Sequence, residues 1–216
     1  HIVTGDTKVV PRGACDKIFI TTTGVGELIA DPAPSGSLAR PGDAVLVSGS
    51  MGDHGLTVMA RRDNLSFVSD IASDSAPLNH MVEKLVREAG EIHVLRDPTR
   101  GGLATTLNEI TEQSGVSCVI DEAAVPVHEN VRSGCALLGL DPLYLANEGK
   151  LICILPRDRA EAALRVMKED EYGREAANIG EIIPAANGRP RVTLRTRMGG
   201  GRLLSMLEGA PLPRIC

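Results

Sequence analysis

The sequence predicts an α/β (α+β) fold in which a mixed sheet is covered by helices. Short β-branched or apolar runs alternate with amphipathic segments of helical period, but irregularly, and the last strands form hairpin-like pairs. The 216 residues suffice to bury a full core in one domain, or one domain plus pieces of another. Neither an internal repeat nor a low-complexity tract interrupts the pattern.

The elements follow in order. Lys17–Thr23 is a β-branched run and reads as a strand, as does Val45–Ser48. Between them Asp31-Pro32-Ala33-Pro34-Ser35-Gly36-Ser37 has the Pro, Gly and Ser content of a linker, taken as residues 31–41. Helices are predicted over Asp53–Arg62 and Pro77–Ala89, the second ending at Gly90, and a strand over Ile92–Leu95. In the second helix Leu78, Met81, Val82, Leu85 and Val86 recur at helical spacing and make a core face. Gly102–Ser114 reads as a helix, Val116–Ile120 as a strand, Glu129–Leu138 as a helix and Lys150–Leu155 as a strand. Asp158 is placed as the cap of a helix reaching Lys168. Ile179–Ile183 and Arg191–Arg197 close the domain as strands. Gly199-Gly200-Gly201 then reads as a hinge opening a mobile tail, residues 199–216, which ends in Pro211-Leu212-Pro213-Arg214-Ile215-Cys216. Fully extended from Gly201, that tail spans roughly 50 Å.

Composition narrows the function classes. A net charge of −5 and 2% aromatic residues supply neither the electrostatic footprint nor the stacking platforms of a nucleic-acid binder. The longest apolar run, Leu151–Leu155, is too short to cross a bilayer. The five cysteines are odd in number, widely spaced and without a CxxC pair, which argues for a reducing cytoplasm and against a disulfide framework or zinc site. Cys118 and Cys153 sit in strand-like runs as small core residues. Cys216 differs: a thiol behind two prolines, with Arg214 nearby to favour the thiolate, is a candidate nucleophile on an extended arm. The bland alternative is an incidental cysteine in a frayed terminus.

Four polar clusters carry candidate chemistry. Gly5-Asp6-Thr7-Lys8 groups a carboxylate, a hydroxyl and an ammonium, fit to hold a metal-bound phosphate; the alternative is a turn capped by Asp6. Arg96-Asp97-Pro98-Thr99-Arg100-Gly101-Gly102 joins a strand to a helix, where backbone N–H groups and the helix dipole favour an anion. Asp97 is a candidate Mg²⁺ ligand, and Thr99 and Arg100 are candidate phosphate contacts. A helix cap alone would not account for two arginines and two glycines. In Asn147-Glu148-Gly149-Lys150 the Glu is costly to bury unless paired, which makes Glu148 a candidate general base with a raised pKa; the commoner alternative is an exposed turn residue. Gly49–Gly55 is a strand-to-helix loop holding His54, a residue more often a cap or packing group than a catalyst. His80, His93 and His128 lack paired ligand spacing. Neither GxxxxGK[ST] nor a full dinucleotide turn is present.

With these segments in order, the chain resembles the HypE family of hydrogenase expression/formation proteins, the carbamoyl dehydratases of nickel–iron hydrogenase assembly. The resemblance is carried by Val3-Thr4-Gly5-Asp6-Thr7-Lys8-Val9-Val10, Gly52-Asp53-His54-Gly55, Arg96–Gly102, Ala146-Asn147-Glu148-Gly149-Lys150 and the closing Pro213-Arg214-Ile215-Cys216, and covers essentially the whole chain. It implies the fold of the aminoimidazole ribonucleotide synthetase superfamily, C-terminal portion, over residues 42–198. It also implies ATP and Mg²⁺ as cofactors. A further N-terminal α/β domain would supply much of the ATP site and a homodimer interface, with residues 1–30 as its remnant. The abrupt opening His1-Ile2-Val3 agrees with a chain entered in mid-strand.

The resemblance also implies a chemistry. A carbamoyl group received by Cys216 from the carbamoyltransferase HypF is phosphorylated on oxygen and dehydrated to a thiocyanate. The cyanide then passes to a HypC–HypD complex. In that scheme Glu148 and Lys8 serve proton removal and orientation, Asp6 and Asp97 serve Mg²⁺, and Thr7, Thr99 and Arg100 complete the nucleotide contacts. The competing reading is a non-catalytic docking module that presents the tail to partners. A selenophosphate synthetase is weaker, since its reactive residue would be expected near the N-terminus.

Overall fold

The structure is a computed structural model, and it describes residues 1–62 and 71–207. Among these, seven strands form one sheet and five helices cover it: β1 (Asp43–Val47), α1 (Asp53–Arg62), α2 (Asn79–Glu88), β2 (Val94–Arg96), α3 (Gly102–Ser114), β3 (Val116–Asp121), α4 (Glu129–Leu138), β4 (Ile152–Pro156), α5 (Ala160–Glu169), β5 (Ala177–Pro184), β6 (Val192–Arg195) and β7 (Gly201–Leu204). The strand order is β2-β4-β1-β5-β3-β6-β7. All neighbours are antiparallel except the parallel pair β3 and β6. The expected mixed sheet covered by helices is therefore observed.

Alternation along the strands sorts side chains to two faces. Val45, Val47, Ile152 and Ile154 pack with α3 residues Leu103, Leu107 and Ile110 on one side. Ala44, Leu46, Cys153 and Leu155 pack with Met81 and Leu85 of α2 and with Ala163 and Val166 of α5 on the other. Central strands buried on both faces explain the unbroken apolar run at Leu151–Leu155. Burying each leucine of these layers contributes about 1.5–3 kcal/mol. A smaller cluster joins α1 and α4 through Leu56, Val131 and Cys135 to Leu145. Burial pushes the thiols of Cys118 and Cys153 up to about 12 and that of Cys135 to about 11, with Asp141 adding to the last, so these three are core residues without nucleophilic character.

Several expectations need correction. Lys17–Thr23 forms no strand: Ile18, Phe19 and Ile20 are exposed, and a β-branched run without a neighbouring strand has no ladder to join. Asp158 makes no side-chain cap; it lies in a short 3₁₀ turn, Arg157–Arg159, that precedes α5. The stretch read as a linker is partly fastened to the domain, since Ser35 N–H donates to His93 O (2.9 Å) and Ser114 Oγ–H to Gly36 O (2.7 Å). Gly199-Gly200-Gly201 is not an opening hinge. Gly199, with a φ of 83°, and Gly200 lie in the turn of the β6–β7 hairpin, and Gly201 opens β7 opposite Arg195. Leu204 at the end of β7 is buried, and its carbonyl accepts from Asn108 Nδ2 of α3 at 2.9 Å. Tyr144 Oη–H donates to Ser205 O at 2.9 Å. The part of the expected tail up to Ser205 is thus bound to the domain, and Cys216 lies outside the described residues.

Candidate active site at one end of the sheet

β1 and β2 both run antiparallel to β4, and their registers align Val47 with Ile152 and Arg96 with Ile152. The C-terminal ends of β1 and β2 therefore meet the N-terminal end of β4 at one end of the sheet. The loops that emerge there carry three of the four polar clusters found in the sequence. Two of these loops lead directly into the N-termini of α1 and α3, an arrangement that presents backbone N–H groups and positive helix ends.

One buried side chain ties the three loops together. Asn147 is inaccessible to solvent. Its Oδ1 accepts from Gly52 N–H at 2.8 Å, and its Nδ2 donates to Pro98 O at 2.9 Å and Leu145 O at 3.1 Å. Its own N–H donates to Pro98 O at 3.2 Å, and Gly55 N–H donates to Ala146 O at 3.0 Å. Glycine permits the approach at Gly102: φ is +62°, and a Cβ there would lie 2.5 Å from Leu145 O.

Beside this junction is a polar cleft of about 310 Å³, lined among others by Ser50, Asp53, Asp74, His128, Lys150 and Glu175. Asp53 is buried at the first turn of α1, where the helix dipole favours its charge. It accepts from Ser50 Oγ–H, and its Oδ1 is 2.7 Å from His128 Nδ1, whose Nε2 is 3.0 Å from Glu175 Oε2. Partial burial opposes charge on His128, but the bonds and charges of Asp53 and Glu175 outweigh it and raise the imidazole pKa. Asp74 and Lys150 lie 3.9 Å apart, with side-chain exposures of only 3% and 12%.

The sequence-derived candidates fall into three groups. Asp97, Thr99, Arg100 and Glu148 stand on the converging loops. Asp97 is exposed and accepts from Thr99 Oγ1–H at 3.2 Å, with Arg96 4.0 Å away. Neither Asp97 nor Thr99 caps α3, whose N-cap is left-handed Gly101 with no side-chain cap, so the capping alternative fails. Glu148 is exposed, not buried as its expected role as a perturbed base required; it is Lys150 that turns inward. Asp6, Thr7 and Lys8 lie in an exposed N-terminal segment and do not line the cleft; there Asp6 Oδ1 accepts from Thr7 N–H at 2.8 Å. Cys216 forms the third group, outside the described residues. His54 neither lines the cleft nor caps a helix by side chain. Its Nδ1 meets Ser73 Oγ at 2.8 Å. Sequence reasoning passed over Asp74 and the Asp53–His128–Glu175 chain. The polar run Ser73-Asp74-Ser75 before Pro77 was a detectable turn signal; the long-range chain had none.

Among the described residues no group of three or more His, Cys, Asp or Glu is placed to hold a metal. A single exposed carboxylate such as Asp97 still fits Mg²⁺, which keeps several waters and binds through one or two carboxylates together with phosphate oxygens.

Comparison with known proteins agrees with this architecture. Residues 40–193 match the model of the C-terminal domain of AIR synthase related proteins. The chain is 54% identical over 215 residues to the carbamoyl dehydratase HypE of Cupriavidus necator, covering 100% of this chain and 61% of that protein. A crystal structure of hydrogenase maturation protein HypE superposes with a TM-score of 0.94 at 66% identity, covering 100% of this chain and 68% of that one. A HypE crystal structure in complex with ATP gives 0.93 at 65% identity, over 100% of this chain and 65% of that one. A HypE–HypF complex gives 0.76 at 48% identity, over 80% and 55%. The chain thus spans about three-fifths of the length of the curated relatives it matches. By its sequence, sheet and motif loops, the chain belongs to the AIR synthase related family and, within it, to the HypE hydrogenase maturation proteins.

Proposed function

We propose that this chain forms part of an ATP-dependent carbamoyl dehydratase of nickel–iron hydrogenase maturation. The observation that carries the reading is the convergence of the 49–55, 96–102 and 146–150 segments on Asn147, beside a polar cleft. In the proposed reaction a carbamoyl group is carried on the Cys216 thiol as a thiocarbamate. ATP transfers a phosphoryl group to the carbamoyl oxygen, which turns a poor leaving group into a good one. Departure of phosphate with the C–O bond and loss of both N–H protons leaves the thiocyanate, S–C≡N. Glu148 accepts a proton and Lys8 orients the group. Asp97 and Asp6 are the carboxylates offered to Mg²⁺, which would offset phosphate charge, while Thr7, Thr99 and Arg100 bind phosphate oxygens. The ATP and HypF assignments are supported by HypE relatives crystallised with each. HypC–HypD as acceptor, a homodimer and a cytoplasmic location complete the proposal.

The test is mass spectrometry of the Cys216 peptide from the full-length protein after incubation with HypF, carbamoyl phosphate and ATP. Wild type should load the carbamoyl group and then lose the mass of one water. Glu148→Gln should load normally and accumulate the thiocarbamate, and Cys216→Ser should not load. Loading without any water loss in wild type would refute the dehydratase reading, and normal conversion by Glu148→Gln would remove that residue from the reaction.

A further inference from the structure

Residues 71–76, part of the connection between α1 and α2, pass across the 147–150 turn. Contact is close: a Cβ on Gly149 would come 1.8 Å from Asp74 O and 2.7 Å from Ala76 N. The segment is fastened at both sides. Toward α1, Ser73 Oγ meets His54 Nδ1 at 2.8 Å, and Ile71 O lies 3.3 Å from Thr57 Oγ1, whose hydrogen is shared with the nearer Asp53 O at 2.8 Å. Toward the turn, Asp74 Oδ1 accepts the backbone N–H of Glu148 at 2.9 Å. The second carboxylate oxygen of Asp74 is buried without a hydrogen-bond donor and faces Lys150 Nζ at 3.9 Å.

A carboxylate that is 97% withdrawn from water, with one oxygen unbonded, is costly to keep. Its full hydrogen bond is spent on a single group, the peptide N–H of the residue whose side chain stands free at the tip of the turn. We infer that Asp74 is a positioning residue for Glu148. It fixes the backbone from which the Glu148 carboxylate projects, with Lys150 balancing its charge and His54–Ser73 holding the strap in place. This accounts for His54 as an anchor of the strap and assigns Asp74 a task within the dehydration. The inference rests on the proposed role of Glu148 as proton acceptor. Asp74 touches no reacting atom; it acts through the geometry of the turn.

The experiment compares Asp74→Ala, Asp74→Asn and Ser73→Ala in the full-length protein. Two quantities are read: single-turnover conversion of Cys216 thiocarbamate to thiocyanate, and amide hydrogen exchange of the 146–150 peptide. Asp74→Ala should slow conversion by about ten- to a hundredfold, the range expected when a reacting group is misplaced by about 1 Å, while carbamoyl loading stays unchanged. Exchange at 146–150 should accelerate in the same variant. Asp74→Asn keeps an oxygen for the Glu148 N–H and should rescue both quantities to within about threefold. Ser73→Ala removes only an exposed hydroxyl, so it tests the strap even if Asp74→Ala fails to fold; a smaller loss with faster exchange is expected. The inference is overturned if Asp74→Ala converts like wild type, if Asp74→Asn falls as far as Asp74→Ala, or if Ser73→Ala changes neither quantity. Absence of conversion in wild type would refute the proposed function and leave the exchange result to decide the positioning.

Discussion

Replacing Asn147 by Ala should unfasten the three loops at once. The substitution removes the bond accepted from Gly52 N–H at 2.8 Å and those donated to Pro98 O at 2.9 Å and Leu145 O at 3.1 Å. Each such bond contributes about 0.5–1.5 kcal/mol net, and a buried donor left unsatisfied costs about 1–3 kcal/mol. Pro98 O keeps the N–H of residue 147, so the buried Gly52 N–H is the main orphan. The expected loss is about 3–4 kcal/mol, a large part of an ordinary domain's 5–15 kcal/mol. Urea unfolding followed by circular dichroism measures it. Asn147→Asp sharpens the test, because its carboxylate would face two carbonyl oxygens and its folded pKa should rise above the unfolded value of about 3.9. Its deficit should therefore be smallest below about pH 4 and grow as pH rises through the folded pKa. A loss below about 1 kcal/mol for Asn147→Ala, or a pH-independent deficit for Asn147→Asp, would refute the account of Asn147 as the junction.

Two further outcomes follow from the geometry. The raised pKa of His128 stabilises the charged, doubly bonded form, so its contribution is full below about pH 6.5 and is lost as pH rises through the folded pKa. The melting-temperature difference between wild type and His128→Gln should accordingly be largest near pH 5.5 and shrink toward pH 8; a difference that grows with pH would contradict the Asp53–His128–Glu175 chain. Gly102→Ala should cost at least about 2 kcal/mol, since it combines a left-handed φ of +62° with a Cβ 2.5 Å from Leu145 O. Unchanged urea unfolding in that variant would mean that the loop relaxes freely.

Local signals made parts of this molecule legible from sequence. The bounds read for Gly102–Ser114 and Glu129–Leu138 coincide with α3 and α4, because left-handed Gly115 and Gly139 stop both helices. Six of the seven strands are legible to within a few residues from their apolar and β-branched runs, whereas β7 falls in the stretch read as a tail. The failures are where tertiary context decides. Ile18 and Ile20 have strand propensity but no partner strand among the described residues, and of the three glycines read as a hinge, Gly199 and Gly200 close a hairpin turn while Gly201 opens β7. The candidate site divides in the same way. Arg96–Gly102 and Asn147–Lys150 stood out by composition, yet nothing in sequence links Asn147 to Gly52 or Glu148 to Asp74, pairs separated by 95 and 74 positions.

The strand order carries a consequence for how the chain is made. Of the six neighbouring pairs in the sheet only β6 and β7 are consecutive in sequence. β1 waits longest for a partner: Val47 pairs with Ile152 and with Ala177, the second 130 positions downstream. At ribosomal rates of about 5–20 residues per second, β1 stays without β5 for roughly 7–25 s after its own synthesis. During that interval Ala44, Val45, Leu46 and Val47, all buried in the finished sheet, have α2, α3 and β4 to pack against but one edge of their strand stays unpaired. Folding is therefore governed by contacts of high sequence separation and should be slow for the domain's size. The nascent chain should also depend on chaperones until β5 has emerged, and a chain stopped before Ala177 should aggregate rather than fold in part.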